Sequence, residues 1–73
     1  MKVQIKLNNV NDAKKFNFIC ETLPGNIAII DRNGFKVNAK SLFGVLYALE
    51  FNELWCDSEN DITNHIREFI VHK

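Results

Sequence analysis

Few side chains in this sequence of 73 residues could carry chemistry, and their spacing matches no catalytic or metal-binding motif. His65 and His72 are two helical turns apart, or roughly 10 Å, which is too far for two ligands of one metal ion. Cys20 and Cys56 form no Cys-x-x-Cys pair and have no histidine near them in the sequence. No nucleophile and base are spaced for catalysis within one element. We therefore expect neither enzymatic activity nor a metal ion or other cofactor.

The composition is that of a small globular protein, with 47% hydrophobic and 25% charged residues. Nine basic residues balance nine acidic ones, whereas a protein that binds nucleic acid or a membrane surface normally carries a basic excess. No apolar run approaches the roughly 20 residues that span a bilayer, and the first residues alternate instead of forming a signal peptide. We expect one cytoplasmic domain over residues 1–73, without nucleic-acid binding or membrane insertion. In that compartment Cys20 and Cys56 are expected to be reduced and buried, and a disulfide between them is the alternative.

Ser41 precedes the most apolar stretch of the chain. Its oxygen can accept from free backbone N–H groups one turn ahead, which predicts an N-cap and a helix from about Ser41 to Leu49. Helical spacing divides the apolar side chains into two stripes. The first stripe is Val45, Ala48 and Leu49. The second stripe is Leu42, Phe43 and Leu46. Because a short surface helix buries one stripe, we expect the second to be partly exposed and open to a partner.

The remaining elements follow from hydrophobic periodicity. Alternation at Val3, Ile5 and Leu7 predicts a first strand. A helix is expected to start at an Asn11 cap and to end at Pro24-Gly25. Its apolar stripe is Ala13, Phe16, Ile19, Cys20 and Leu23, with Phe18 outside it.

The chain from residue 27 onward predicts three strands and two helices, the Ser41 helix being the first of the two. Residues 27–30 form a strand, and Asn33-Gly34 predicts a hairpin to the next one. Leu54-Trp-Cys56 is a fourth strand, with Leu54 and Cys56 toward the core and Trp55 on the opposite face. The cluster Ser58-Glu-Asn-Asp61 is expected to cap a last helix that runs nearly to Lys73. Its buried stripe is Ile62, Ile66, Phe69 and Ile70.

The predicted order is β-α-β-β-α-β-α, and the fold class is α+β. Three helices on one face of a four-stranded, mostly antiparallel sheet make an open-faced β-sandwich. This order resembles that of the HPr family, the histidine-containing phosphocarriers of the bacterial phosphotransferase system. In that family an Asn-Gly hairpin and a small residue precede a Lys-Ser-Leu-Phe or Lys-Ser-Ile-Met segment, and here the sequence reads Asn33-Gly34 and then Ala39-Lys40-Ser41-Leu42-Phe43-Gly44-Val45. The resemblance covers essentially the whole chain, although the first half matches only in pattern and the chain is somewhat shorter than a typical member.

One departure from the family bears directly on function. HPr proteins carry a phospho-accepting histidine just before the first helix, followed by a small residue, Arg and Pro. Here that position falls in the Asn9, Val10 and Asn11 region, which contains no His, Arg or Pro. An asparagine amide lacks the nucleophilic imidazole nitrogen that a phosphoryl relay needs. The resemblance therefore implies a non-catalytic member, unable to relay phosphate through a histidine, with a regulatory or protein-interaction role in sugar transport.

The resemblance also implies site residues. Ser41 matches the serine that an ATP-dependent kinase phosphorylates in many Gram-positive members, although a plain N-cap explains the same residue. Leu42, Phe43 and Leu46 match the surface that contacts enzyme I, sugar permease subunits and transcriptional regulators, although small domains always expose some apolar area. Alternatives from other classes are a small-molecule-sensing module and a purely structural α+β module.

Overall fold

The computed structural model describes residues 1–72 and has the predicted order of strands and helices. The strands are β1 (Lys2–Ile5), β2 (Ile27–Ile30), β3 (Lys36–Asn38) and β4 (Leu54–Ser58). The helices are α1 (Val10–Glu21), α2 (Leu42–Ala48) and α3 (Thr63–Ile66), and α3 continues as a single 3-10 turn, Arg67–Phe69. Over these residues the predicted α+β class is confirmed, and no helix among them is long and apolar enough to cross a membrane.

The four strands of residues 1–72 form one sheet in the order β1-β4-β2-β3, and every neighbouring pair is antiparallel. Cys56 in β4 lies opposite Val3 on one side and Ile29 on the other. Ile29 in turn lies opposite Val37 in β3. Because directly opposed residues share a sheet face, these four side chains point the same way.

That face of the sheet packs against residues from all three helices. The buried apolar side chains of this core are Ile5, Leu7, Ala13, Phe16, Cys20, Ile27, Ile29, Ala39, Val45, Ala48, Leu54, Cys56, Ile62, Ile66 and Phe69. Phe16 in α1 meets Phe69 edge to face, with ring centroids 5.4 Å apart. Ile19 and Leu23 pack partly buried against this core, and Phe18 is exposed, as the periodicity predicted.

The other sheet face points away from the core. One row across it contains Gln4, Trp55, Ile30 and Lys36, one residue from each strand. Trp55 is half-buried there, while Leu54 and Cys56 are buried on the core side. The predicted orientation of β4 is therefore confirmed.

A tight loop joins β2 to β3, as the Asn33-Gly34 pair predicted. The Gly34 N–H donates to the Asp31 carbonyl at 3.1 Å, and Gly34 has a φ of 87°, which glycine adopts at little cost. The Asp31 carboxylate accepts from the N–H groups of Asn33 and Phe35, both at 2.8 Å. Asp31 therefore organises the loop from its first position.

Helix α1 begins two residues earlier than predicted, because Asn9 and not Asn11 is its N-cap. The Asn9 side chain accepts from the Asp12 N–H at 2.8 Å, and the Asp12 carboxylate accepts from the Asn8 N–H at 3.0 Å. This reciprocal pair satisfies two backbone donors at once, which an Asn11 cap does not offer. Asn11 instead lies exposed in the first turn.

The predicted cap of the last helix is wrong for Ser58, which is the final residue of β4 and is buried. The N-cap of α3 is Ile62, which makes no side-chain capping bond. Asp61 serves this helix start instead, accepting from the N–H and the hydroxyl of Thr63 at 3.0 Å and 2.6 Å. These hydrogen bonds lower the pKa of the Asp61 carboxyl.

The last helix is also shorter than predicted. Ile70 has extended backbone angles and pairs with Ile5 of β1. The Val71 N–H donates to the Gln4 carbonyl at 2.9 Å. These bonds satisfy the outer edge of β1, and a helix continuing through Ile70 cannot make them. The predicted helix end near Lys73 lies outside the described residues.

Candidate protein-interaction surface

The position of α2 is fixed by hydrogen bonds around its first turn. Ser41 accepts from the Gly44 N–H at 3.2 Å, so the predicted N-cap is confirmed. The Asn38 side chain accepts from the Lys40 N–H at 2.9 Å, and the Asn38 carbonyl accepts from the Ser41 N–H at 3.1 Å. The end of β3 and the start of α2 thus form one hydrogen-bonded corner.

Two side-chain contacts tie this corner to α1. The buried Asn17 side chain donates to the Ala39 carbonyl at 3.0 Å. The Lys40 ammonium donates to the Leu23 carbonyl at 2.6 Å, just beyond the end of α1. A cation at the carboxyl end of a helix interacts favourably with the negative end of the helix dipole. Lys40 is therefore a structural contact as well as part of the segment before Ser41.

Gly44 allows α2 to approach the end of β3 closely. A Cβ atom at this position would lie 2.9 Å from the Asn38 carbonyl oxygen, which is backbone and cannot rotate away. The absence of a side chain at Gly44 is thus a packing requirement.

The two stripes of α2 differ in burial, in partial agreement with the prediction. Val45 and Ala48 are fully buried. In the second stripe Phe43 is 83% exposed and Leu42 is 38% exposed, whereas Leu46 is half-buried and packs against the core. The exposed part of the predicted surface is therefore Leu42 and Phe43.

Three further aromatic side chains extend this surface, and the sequence interpretation missed them. Phe35, Tyr47 and Phe51 contact one another edge to face, with ring centroids 5.6 Å to 5.9 Å apart. Phe35 and Tyr47 are each about half exposed. Tyr47 lies one turn after Phe43 on the same helix face, a spacing that would have included it. Phe35 and Phe51 come from separate loops, and no local pattern connects them.

We call Leu42, Phe43, Tyr47 and Phe35 the α2 surface. Its helix carries no charged residue between Lys40 and Glu50. An apolar, aromatic surface of this kind is suited to contact with another macromolecule, since aromatic side chains dominate the buried centres of interfaces.

The region of Asn9, Val10 and Asn11 has a structural role. Asn9 caps α1, and Val10 and Asn11 occupy the exposed first turn. The Asn9 amide oxygen is engaged by the Asp12 N–H. These side chains offer no nucleophile to a phosphoryl group.

Cys20 and Cys56 are free thiols, fully buried in the core, one in α1 and one in β4. Burial, and to a smaller extent the neighbouring Cys56, raises the pKa of Cys20 to about 12. Burial, followed by the Asp57 charge, raises the pKa of Cys56 to about 11. Both thiols are therefore neutral near pH 7 and unreactive.

His65 and His72 are both exposed, and they lie on different parts of the carboxyl-terminal region. Over residues 1–72, no group of three or more His, Cys, Asp or Glu side chains is placed to hold a metal ion. The chain matches no protein-family profile, no curated protein and no solved structure.

Proposed function

We propose that this is a non-catalytic HPr-like protein that acts through protein contacts, in a regulatory role related to the sugar phosphotransferase system. Two observations support the proposal. The β-α-β-β-α-β-α order and the segment Ala39–Val45 resemble the HPr family. The Asn9–Asn11 region lacks the histidine that a phosphate relay needs.

The exposure of Phe43 is the observation that carries the interaction role. A phenylalanine left 83% exposed forgoes about 2 kcal/mol of the stabilisation that burial would give. Leu42 and Tyr47 on the same helix are also exposed, so the loss is concentrated on α2. Contact with a partner recovers this free energy. The partners we propose are phosphotransferase-system proteins, a serine kinase or a transcriptional regulator.

The catalytic half of the proposal is tested with enzyme I and phosphoenolpyruvate. We expect the protein to remain unphosphorylated under conditions in which an authentic HPr is fully labelled. Stoichiometric acid-labile phosphate on this chain would contradict the absence of a relay.

The interaction half is tested by Phe43→Lys, with Phe18→Lys as the matched control. Phe18 is also a largely exposed aromatic residue, but it lies on α1. We expect Phe43→Lys to weaken binding to enzyme I, permease subunits or a regulator at least tenfold, with little change in melting temperature. Phe18→Lys should bind as the wild type does. Equal binding by both variants, or a large loss of stability in Phe43→Lys, would contradict the assignment.

Phosphorylation of Ser41 is a second candidate function, favoured by the position of this half-buried residue at the start of α2. A phosphate there would sit at the positive end of the helix and replace the Oγ–Gly44 contact with a charged one. An ATP-dependent HPr kinase should label the wild type and leave Ser41→Ala unlabelled. Labelling of both proteins would place the modification elsewhere.

Small-molecule sensing is a third candidate, favoured by a groove of about 520 Å³ that crosses β4, β2 and β3. Its lining includes Ala28, Lys36, Asn38 and Asp57. A metabolite that binds there should raise the melting temperature in a thermal-shift panel, and an Ala28→Leu variant should lose the response.

A further inference from the structure

The Asn33-Gly34 pair in the loop between β2 and β3 has a chemical reactivity that is separate from the proposed interaction role. Asn33 is the one asparagine in the sequence that a glycine follows. A glycine N–H has no neighbouring Cβ to shield it, so it can reach the side-chain carbonyl carbon of the preceding asparagine. This pair is therefore the position in the chain best suited to intramolecular attack on an amide.

We propose that Asn33 is a self-modification site, where asparagine converts to aspartate and isoaspartate without an enzyme. The Gly34 nitrogen bonds to Cγ of Asn33 and gives up its proton, while the Cγ–Nδ2 bond breaks and ammonia leaves. Water then opens the resulting succinimide at either carbonyl. Attack at one carbonyl yields aspartate, and attack at the other yields isoaspartate, whose backbone runs through the former side chain.

The surroundings of the pair permit this reaction. Asn33 and Gly34 are exposed, and no heavy atom lies within 4 Å of the place where a Gly34 Cβ would be. The reaction is opposed by one hydrogen bond, from the Gly34 N–H to the Asp31 carbonyl at 3.1 Å. An exposed loop bond of this kind opens in local fluctuations that cost much less than global unfolding.

The other asparagines in the neighbourhood are protected. Asn17 is buried, and its amide nitrogen is held by the Ala39 carbonyl. Asn26 is exposed but precedes the β-branched Ile27, which is fixed in β2. The structure thus predicts a large difference in rate between Asn33 and these two residues.

The modification would act on the α2 surface through Phe35. The Phe35 N–H donates to the Asp31 carboxylate, and its ring contacts Tyr47 and Phe51. Isoaspartate adds a backbone carbon two residues before this ring and places a second carboxylate beside Asp31. Like charges repel, and the lengthened loop no longer holds Phe35 against its neighbours. The chemistry at Asn33 does not depend on the proposed function.

The test is to age the native full-length protein in mildly alkaline buffer and digest samples with a lysine-specific protease. One product, residues 16–36, contains Asn17, Asn26 and Asn33 together, so each peptide carries its own controls. Fragmentation mass spectrometry locates the deamidated residue, and an isoaspartate methyltransferase counts isoaspartate. We expect loss of amide at Asn33 at least tenfold faster than at Asn17 or Asn26, and none at residue 33 in Asn33→Gln.

The aged protein carries an additional negative charge and can be separated by anion exchange. We expect its near-ultraviolet circular dichroism from Tyr47 and the phenylalanines to be reduced. Equal rates at the three asparagines would overturn the assignment of the site. An unchanged aromatic spectrum in the purified aged form would overturn its coupling to Phe35.

Discussion

At the scale of single residues, the core uses two thiols where an aliphatic side chain is more usual. Cys20 and Cys56 have no exposed surface. Loss of a proton from either would leave a buried, unpaired thiolate, which burial makes unfavourable. Their contribution to stability therefore depends on pH.

We predict that stability falls as the pH rises above about 9. The folded-state pKa values of about 12 for Cys20 and about 11 for Cys56 exceed the ordinary thiol pKa of 9.0, so the folded protein binds more protons than the unfolded chain in this range. The contribution of the two neutral thiols to stability is fully present below pH 9 and is lost as the pH rises toward 11 or 12. Each thiol contributes a slope of about 1.4 kcal/mol per pH unit. Urea unfolding at a series of pH values measures this slope.

Cys20→Ala provides the control for this measurement. It removes one titrating thiol and leaves every lysine and tyrosine in place, so those groups cancel in the comparison. Between pH 9 and 11, the free energy of unfolding should fall less steeply with pH in the variant, by about the 1.4 kcal/mol per pH unit that one titrating thiol contributes. An identical slope in the two proteins would mean that the Cys20 pKa is not raised.

At the scale of elements, α2 depends on the backbone contact at Gly44. Alanine at a helix interior normally stabilises a protein by about 1 kcal/mol relative to glycine. Here the added methyl group meets the Asn38 carbonyl at 2.9 Å. The contact can be relieved only if α2 moves away from β3, which weakens the hydrogen bonds at their shared corner.

We predict that Gly44→Ala destabilises the protein by about 1 kcal/mol, because overpacking outweighs the gain in helix propensity. The melting temperature should fall by about 4–8 °C for a domain of this size. Leu49→Ala is unsuitable as a control, since Leu49 packs against the core, but an exposed substitution such as Glu50→Ala is suitable. A stabilised Gly44→Ala variant would show that α2 has room to move.

The elements also indicate how far the sequence could be interpreted by itself. The α1 stripe, the hairpin and the orientation of β4 follow from local periodicity and turn chemistry, and the sequence predicted all three. The N-cap was predicted wrongly at Asn11, since Asn9 has the same cap chemistry and its selection depends on the Asp12 carboxylate accepting from the Asn8 N–H.

The candidate surface was predictable only in its helical part. Leu42 and Phe43 are neighbours in the sequence, whereas Phe35 and Phe51 join Tyr47 through folding of distant segments. The prediction of where the last helix ends was wrong for the same reason. Its apolar spacing suits a helix as far as Ile70, but the open edge of β1 offers backbone bonds that local sequence does not reveal.

At the scale of the whole molecule, the sheet is closed on one side by the chain's own carboxyl-terminal segment. Val71 donates to Gln4, and Lys6 donates to Phe69, so the segment covers the outer edge of β1. Ile70 has φ −73° and ψ 134°, angles that a residue preceding proline readily adopts. Proline at position 71 would therefore remove a single donor without straining Ile70.

We predict that Val71→Pro lowers stability by about 1 kcal/mol, the usual net value of one hydrogen bond. Val71→Ala keeps the N–H and should lose less. The proline variant should also associate at high concentration, because the uncovered part of β1 can pair with another chain. Thermal unfolding and light scattering measure the two effects. If the alanine variant associates equally, the side chain and not the backbone bond protects this edge.

The order of the sheet has a consequence for synthesis of the protein on the ribosome. β1 and β2 do not pair with each other and are joined only through β4, which lies between them and is translated last of the four. Until Leu54–Ser58 emerges, the growing chain can form α1, α2 and the β2–β3 hairpin, but the first strand has no partner. Cooperative folding therefore waits for β4, and a nascent chain stalled before it should remain sensitive to proteases.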